Sequence, residues 1–201
     1  LGIYSNVDSI RPIFLEREFG DGTGDCFEGT ITDFFPDWVK KFEAKNKKAS
    51  YKDLNKIAAA LALPEPEQDV LQKQLNLDAF IQFWAMESLI GFWDGYCSNQ
   101  NNFFVYQNPS DSKFYFIPWG TDSAFTISSP IPPYRIRPKS AHAKAILPNK
   151  LYRIPEFQSQ YFETLNKFLD EHWDETRLLT EMDRLEAMLK EHVIPSNSKF
   201  S

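Results

Sequence analysis

The fold is decided by the stretch LDAFIQFWAMESLIGFWDGYCSNQNNFFVY, residues 77–106, and by its continuation KFYFIPWGTD, residues 113–122. Residues 77–93 are apolar almost throughout, which predicts a helix in the middle of a domain. Residues 103–106 and 113–117 are rich in aromatic residues, and the polar segment between them predicts a hairpin of two strands. We therefore expect a buried helix that packs near a short hairpin.

Oxygen-bearing side chains flank both predicted elements. Asp94 follows the apolar helix, Asn102 precedes the first strand, and Asp122 follows the second strand. Carboxylates and amides are the ligands that a hard cation such as Mg²⁺ prefers. If the helix and the hairpin meet, these three residues are expected at one end of the core, where they are candidates for a cation site.

Glu87 is an ionisable residue within the otherwise apolar helix. A buried carboxylate must be paired, protonated or directed into a polar pocket. We expect a structural ion pair here rather than a catalytic role.

The remaining segments predict a mainly helical chain. Helical patterns cover residues 33–45 with Asp33 as N-cap, 50–63, 65–75, 156–171 and 174–193. In the last of these, one stripe is apolar and is interpreted as core packing; it consists of Leu178, Met182, Leu185, Leu189 and Val193. Residues 1–7 resemble a strand, residues 12–19 a turn that leads into a short helix or extended piece, and the glycine-rich residues 20–24 a turn.

Residues 128–148 form a long, proline-rich and basic segment after Asp122. Loops of this length are usually functional or disordered. A loop that faces substrate or phosphate and a solvated loop without a function both remain open.

Composition excludes several classes of protein. The 201 residues are 42% hydrophobic, which is enough for one substantial core. The formal charge of −6 argues against nonspecific binding of nucleic acid, and no apolar run is long enough for a membrane span. Cys26 and Cys97 lack a metal-binding spacing, and their redox state stays open. The chain begins at Leu1 with no charged leader, so we expect a mature or trimmed fragment.

Several short motifs occur in an order that resembles the CotH-type (spore coat protein H) family of atypical protein kinases. The motifs are Gly2-Ile3-Tyr4, Phe14-Leu15 to Phe19-Gly20, Gly24 to Gly29, Phe92-Trp93-Asp94, Asn102-Phe103-Phe104-Val105-Tyr106, Pro118-Trp119-Gly120-Thr121-Asp122 and Asn149 to Phe157. The resemblance covers most of the chain, and the order of the motifs carries more weight than any one of them.

The resemblance implies one α+β domain over residues 1–201 that is predominantly helical and similar to an atypical protein kinase. Residues 1–32 would belong to a partial small β lobe, and residues 33–201, with the hairpin at 103–117, to the larger C-terminal lobe. The implied activity is phosphoryl transfer from ATP to Ser or Thr hydroxyl groups of a protein, with Mg²⁺ or Mn²⁺. Asp94 would be the catalytic base or the group that orients the substrate hydroxyl, and Asn102 and Asp122 would be metal ligands. An extracellular or spore-surface location is implied as well; the oligomeric state is open.

Two residues depart from the family pattern. Glu28 stands where the family places a lysine, and Gly120 stands where it places the first aspartate of Pro-Trp-Asp-x-Asp. A carboxylate repels phosphate, and glycine has no side chain to bind a metal. These departures favour an alternative, a noncatalytic kinase-like module that binds a partner protein or a surface polysaccharide. Glycoside hydrolysis by Asp94, Asp122 and Glu87 is a third hypothesis, although nothing in their order selects it.

Overall fold

A computed structural model describes residues 7–125 and 141–190 of the chain. Within these ranges the α-helices are α1 (Pro12–Phe19), α2 (Lys52–Ala62), α3 (Gln68–Gln74), α4 (Leu77–Leu89), α5 (Tyr96–Asn99), α6 (Ile146–Leu151), α7 (Pro155–Glu171) and α8 (Glu175–Leu189). The strands are β1 (Cys26–Gly29), β2 (Glu43–Ala44), β3 (Phe103–Asn108) and β4 (Lys113–Pro118). Short 3-10 helices cover Pro36–Lys41 and Thr121–Ser123.

The four strands form one antiparallel sheet in the order β2-β1-β3-β4. Val105 in β3 lies opposite Phe27 in β1 and Phe116 in β4, so the central register is lined by large apolar residues. Because neighbouring residues of a strand point to opposite faces, the sheet has two apolar faces.

One face of the sheet packs against the central helix α4. Phe80 of α4 lies 4.8 Å from Phe116 of β4, and Trp84 lies 4.1 Å from Tyr161 of α7, both measured between ring centroids. α4 is therefore covered on one side by the hairpin and on another by α7. This confirms the predicted buried helix next to a hairpin, and Asn76 caps the helix by accepting a hydrogen bond from the backbone N–H of Ala79 (3.0 Å).

The opposite face of the sheet carries a smaller apolar cluster. Its buried members are Leu15, Cys26, Phe104, Tyr106 and Ile117, and Trp119 packs against them. Leu15 is the buried residue of α1. Residues 12–19 thus form a helix and not an extended piece. The cluster places Trp119, at the end of β4, against Phe104 of β3.

Several helices were placed correctly from the sequence, and others were not. α2, α3 and α7 lie within one to three residues of their predicted bounds. The helix predicted for residues 33–45 is wrong, because only Pro36–Lys41 is helical, as a 3-10 helix, and Glu43–Ala44 adds a strand to the sheet. Asp33 does not cap that helix; it lies buried and points elsewhere. No helix was predicted at α5, and α6 begins inside the segment 128–148 that was predicted as a long loop.

The interpretation of the last helix as core packing is wrong for its described residues. No residue of α8 is buried, and Met182 is 64% exposed. The helix itself is present, with Asp174 as its N-cap through a 2.9 Å hydrogen bond from the Arg177 backbone N–H. Val193 lies outside the described residues, as do residues 1–6 of the predicted first strand and residues 128–140 of the proline-rich segment.

The described chain mixes a small sheet with a larger share of helix, as predicted. The assignment of residues 1–32 and 33–201 to two lobes of one domain stays a prediction. Cys26 and Cys97 are both buried and free. Among the helices of residues 7–125 and 141–190, none combines the length and the apolar character that a membrane crossing requires.

Candidate functional site

Asp94 lies in the turn between α4 and α5, and three asparagine side chains surround its carboxylate. Oδ1 accepts hydrogen bonds from the amides of Asn99 (2.7 Å) and Asn101 (3.2 Å), and Oδ2 accepts one from Asn102 (2.9 Å). The sequence cluster of asparagines after the apolar helix is therefore a shell of donors around one carboxylate. This shell fixes the rotamer of a half-buried aspartate at the end of the hairpin.

Asn102 stands between Asp94 and the turn that follows β4. Its Nδ2 donates to the backbone oxygen of Asp94 (3.1 Å) as well as to the carboxylate, so both amide hydrogens have partners. The backbone of Asn102 has a positive φ of 51°, which asparagine tolerates better than most residues. Its remaining polar atom, Oδ1, is an acceptor that can face a cation.

Gly120 lies directly beside Asn102. The neighbouring Trp119 donates its backbone N–H to the backbone oxygen of Asn102 (3.0 Å), and Gly120 has a φ of 56°. A β-carbon at position 120 would lie 3.3 Å from both Cγ and Oδ1 of Asn102. The residue that departs from the family pattern is thus next to the predicted metal ligand, and it leaves open the place that a side chain would fill.

Asp122 is the least constrained of the three predicted site residues. It belongs to the 3-10 helix Thr121–Ser123, which begins one residue after Gly120, and it is exposed. It forms no hydrogen bond or ion pair with another described residue. The structure therefore joins Asp94 and Asn102 by a hydrogen bond, whereas Asp122, two residues after Gly120, forms no hydrogen bond with either of them.

The described ranges contain no cluster of three or more His, Cys, Asp or Glu side chains that could hold a metal ion. A cation at this end of the hairpin would therefore have one or two carboxylates and amide oxygens from the protein. That donor set is poor for Zn²⁺ but fits Mg²⁺, which usually keeps several waters and substrate phosphates in its shell.

Glu28, the second residue that departs from the family pattern, is paired with Lys45, which directly follows the adjacent strand β2. The Nζ atom of Lys45 forms ion pairs with Glu28 and, at 2.8 Å, with Glu43. Burial lowers the pKa of Lys45, but its hydrogen bonds to the two carboxylates outweigh burial and leave the pKa raised. Lys45 also lies 5.9 Å from the ring centroid of Phe104, which in turn contacts Trp119.

Two buried carboxylates, Glu87 and Asp33, accept hydrogen bonds from the segment between Asp94 and Asn102. Glu87 accepts hydrogen bonds from the backbone N–H groups of Tyr96 (3.0 Å) and Cys97 (2.8 Å), so the expected ion pair is wrong. Burial raises the pKa of Glu87 to about 7, and these donors oppose the shift. Its burial also removes it from the glycoside hydrolase hypothesis, since a catalytic carboxylate must reach substrate.

Asp33 is the second buried carboxylate. Burial raises its pKa, against the effect of hydrogen bonds from Gln100, Ile146, Phe34 and Tyr96. For Glu87 the signal in the sequence was a single carboxylate in an apolar helix. For Asp33 no such signal existed, because its partners other than the adjacent Phe34 are 63 to 113 residues away.

Comparisons with known proteins agree with the motif order. The family model described as "CotH kinase protein" matches residues 1–200. The chain is also similar to "Spore coat protein homolog 1" of Rhizopus delemar, at 23% identity over 142 residues, which is 64% of this chain and 23% of that protein. The chain thus spans about a quarter of the length of that relative. The predicted family is confirmed: the chain belongs to the CotH kinase protein family.

Proposed function

We propose that this domain has a kinase-like fold and transfers the γ-phosphoryl group of ATP to Ser or Thr hydroxyl groups of a protein, with Mg²⁺ or Mn²⁺. Membership of the CotH kinase protein family supports the reaction class. The single observation that carries the proposal is the carboxylate of Asp94 held by three amides beside Asn102 and Gly120. Phosphoryl transfer needs little from the protein beyond such positioning and electrostatic stabilisation.

Asp94 is assigned as the base that receives the substrate proton. A carboxylate has about four acceptor positions, two on each oxygen. Asn99 and Asn101 occupy Oδ1, while only Asn102 bonds to Oδ2, so Oδ2 keeps room for one more donor. In the proposed step, the substrate hydroxyl donates its proton to Oδ2 as its oxygen bonds to the γ-phosphorus and the bond from that phosphorus to ADP breaks.

Asn102 and Asp122 are assigned as cation ligands. Oδ1 of Asn102 is the atom of this amide not used by Asp94, and Asp122 supplies a carboxylate without a competing partner among the described residues. A bound Mg²⁺ or Mn²⁺ would neutralise charge on the phosphates. Lys45 is the candidate for a further phosphate contact in place of the lysine that is missing at Glu28, since it sits on the same sheet face as Phe104 and Trp119.

The test is a phosphate-transfer assay with labelled ATP, Mn²⁺ and a generic protein substrate. The wild-type chain is compared with Asp94→Ala and with Asp69→Ala, a control that removes an exposed aspartate from α3. We expect transfer by the wild type and by the control, and its loss in Asp94→Ala. Equal transfer by all three proteins would refute the assignment of Asp94.

A noncatalytic module is the second candidate, and Gly120 is the observation that favours it. A glycine beside Asn102 removes one carboxylate from the position that the family reserves for it. If the wild type shows neither transfer nor thermal stabilisation by ATP with Mn²⁺, this candidate is preferred. The name of the Rhizopus delemar relative supports a spore-surface association in either case.

A further inference from the structure

Two buried carboxylates have no part in the proposed chemistry. Glu87 is 2% exposed and Asp33 is fully buried, and neither forms an ion pair with a described lysine, arginine or histidine. Burying a carboxylate without a cation is costly unless hydrogen bonds replace the lost water. Both residues accept hydrogen bonds from the same short segment, α5 and its flanks, and Asp33 also accepts the backbone N–H groups of Phe34 and Ile146.

Glu87 holds the beginning of α5. Its two oxygens accept the backbone N–H groups of Tyr96 and Cys97, which are the first N–H groups of that helix. The residue at the N-cap position, Gly95, has no side chain to bond them. A β-carbon at Gly95 would clash with Glu87, so the glycine allows a carboxylate from another helix to cap α5. Asp94 directly precedes this cap.

Asp33 accepts hydrogen bonds from the first residue of α5 and from its C-cap. Its Oδ1 accepts the hydroxyl of Tyr96 (2.9 Å), and its Oδ2 accepts the side-chain amide of Gln100 (2.7 Å) and the backbone N–H of Ile146 (2.8 Å). Gln100 is the C-cap of α5, with a positive φ of 59°. Asn101 and Asn102 follow it directly.

The catalytic candidate and its amide donors thus sit on opposite ends of a four-residue helix. Asp94 precedes α5, whereas Asn99 ends it and Asn101 and Asn102 follow it. So short a helix is not stable by itself. The distance between the Asp94 carboxylate and its donors therefore depends on what holds α5 in place.

We propose that Glu87 and Asp33 are positioning residues that clamp α5 from its buried side and thereby set the position of Asp94 relative to Asn99, Asn101 and Asn102. The catalytic consequence rests on the proposed function; the clamp itself does not. Neither residue touches the place of reaction, so both act through α5. A carboxyl group suits both places because its two oxygens can accept several hydrogen bonds at once.

Glu87→Gln is the sharpest test because it keeps the shape of the side chain. A glutamine presents one oxygen and one NH₂ group, so one of the two backbone N–H groups of α5 would face a donor and lose its partner. Ile57→Val is the control: Ile57 is fully buried in α2 and has no hydrogen bond to α5, so it changes global stability without touching the clamp.

The first readout is amide hydrogen exchange by NMR, which requires no activity. The amide N–H of Asn99 bonds to Gly95, and that of Gln100 bonds to Tyr96, so both report the integrity of α5. In Glu87→Gln we expect their exchange to become roughly tenfold faster relative to amides of β3 in the same sample. In Ile57→Val this ratio stays that of the wild type. An unchanged ratio in Glu87→Gln would overturn the clamp.

The second readout is the split between kcat and KM in the transfer assay. A displaced Asp94 lowers kcat in Glu87→Gln, roughly tenfold or more, while KM for ATP changes little, because the nucleotide does not contact α5 in this proposal. A faster exchange of α5 with an unchanged kcat would overturn the positioning role. If the wild type transfers no phosphate, the proposed function fails, and the exchange ratio still decides whether the clamp exists.

Discussion

Asp94 and Asp122 are both aspartates that follow an element of the central helix-hairpin unit, yet the fold treats them differently. The Asp94 carboxylate is half-buried and accepts three amide hydrogen bonds. Asp122 is exposed on a three-residue 3-10 helix and has no partner among the described residues. The difference separates a carboxylate that the protein holds in place from one that it leaves exposed and without such bonds.

This difference is reasonable for the two roles that we assign. A base must stand at a defined place when the proton moves, because a misplacement of about 1 Å costs roughly 100-fold in rate. A carboxylate that binds Mg²⁺ through one oxygen is ordered by the cation and the phosphates. The following experiments test whether Asp94 contributes to the rate through its fixed position and Asp122 through its binding of a cation.

Removing each carboxylate has the largest expected effect. Asp94→Ala is expected to lower kcat by roughly 10²–10⁴-fold, the usual contribution of a general base. Asp122→Ala is expected to raise the Mn²⁺ concentration needed for half-maximal rate, and excess Mn²⁺ restores part of its activity. Steady-state rates over a Mn²⁺ titration measure both. Recovery of Asp94→Ala by excess Mn²⁺ would contradict the distinction.

The pH dependence of stability tests the support behind Asp94. Burial raises the pKa of Glu87 from an ordinary 4.5 to about 7. As pH rises from the lower to the higher of these pKa values, the carboxyl of Glu87 loses its proton in the unfolded chain before it does so in the folded chain. The free energy of unfolding therefore falls, by up to about 3 kcal/mol in total. Urea unfolding between pH 4.5 and 8 is expected to show a steeper fall for the wild type than for Glu87→Gln.

The comparison of these two proteins isolates Glu87 from the other groups that titrate there. Burial lowers the pKa of His142, so its contribution has the opposite sign and is lost as pH falls. Asp33 titrates as well, with a raised pKa. The titration of His142 and of Asp33 contributes equally to the pH dependence of stability in the wild type and in Glu87→Gln. Parallel stability curves would show that the ionisation of Glu87 is the same in the folded and unfolded chains.

Gly120→Asp asks whether a carboxylate at the less constrained end strengthens cation binding. Its β-carbon would lie 3.3 Å from Oδ1 of Asn102. We expect affinity for Mn²⁺ to rise about tenfold from the added charge, at a stability cost of about 1 kcal/mol for a side chain at positive φ. Calorimetric titration with Mn²⁺ measures the first and urea unfolding the second. Gly120→Asn is the matched control, and equal Mn²⁺ affinities of the two variants would contradict the expectation.

The sequence predicted those parts of the fold that depend on local pattern and burial. The apolar run of α4 and the aromatic residues of the hairpin identify elements that are buried by their neighbours, and both predictions are confirmed. α8 has an equally clear apolar stripe, but its members Met182 and Leu178 are 64% and 42% exposed. Periodicity indicates which side of a helix is apolar; it does not indicate whether another element of the described chain covers it.

The candidate site likewise has residues whose place the local sequence predicts and residues whose place it does not predict. Asp94 and Asn102 belong to recognisable motifs, and the hydrogen bond between them joins residues only eight positions apart. The role of Asp33 was not predictable, because its bonds to Tyr96, Gln100 and Ile146 join distant segments. The same holds for Lys45, which meets Glu28 only because β2 pairs with β1. Contacts made by sheet pairing and by loop closure need the tertiary structure.

The smallest effect is expected from trimming the amide shell of Asp94. Asn99→Ala removes one of the two donors to Oδ1 and leaves Asn101 in place. One hydrogen bond to a charged group contributes about 1.5–3 kcal/mol at most, and Asn101 or water compensates for part of it, so a loss in kcat of roughly 3- to 10-fold is expected. Thr121→Ala, an exposed change beside Asp122, is the control and should leave kcat unchanged. An equal loss of kcat in both variants would contradict this expectation. The amide hydrogen bonds of Asp94 would then contribute no more to kcat than the exposed side chain of Thr121, and the protein would position Asp94 no more strictly than Asp122.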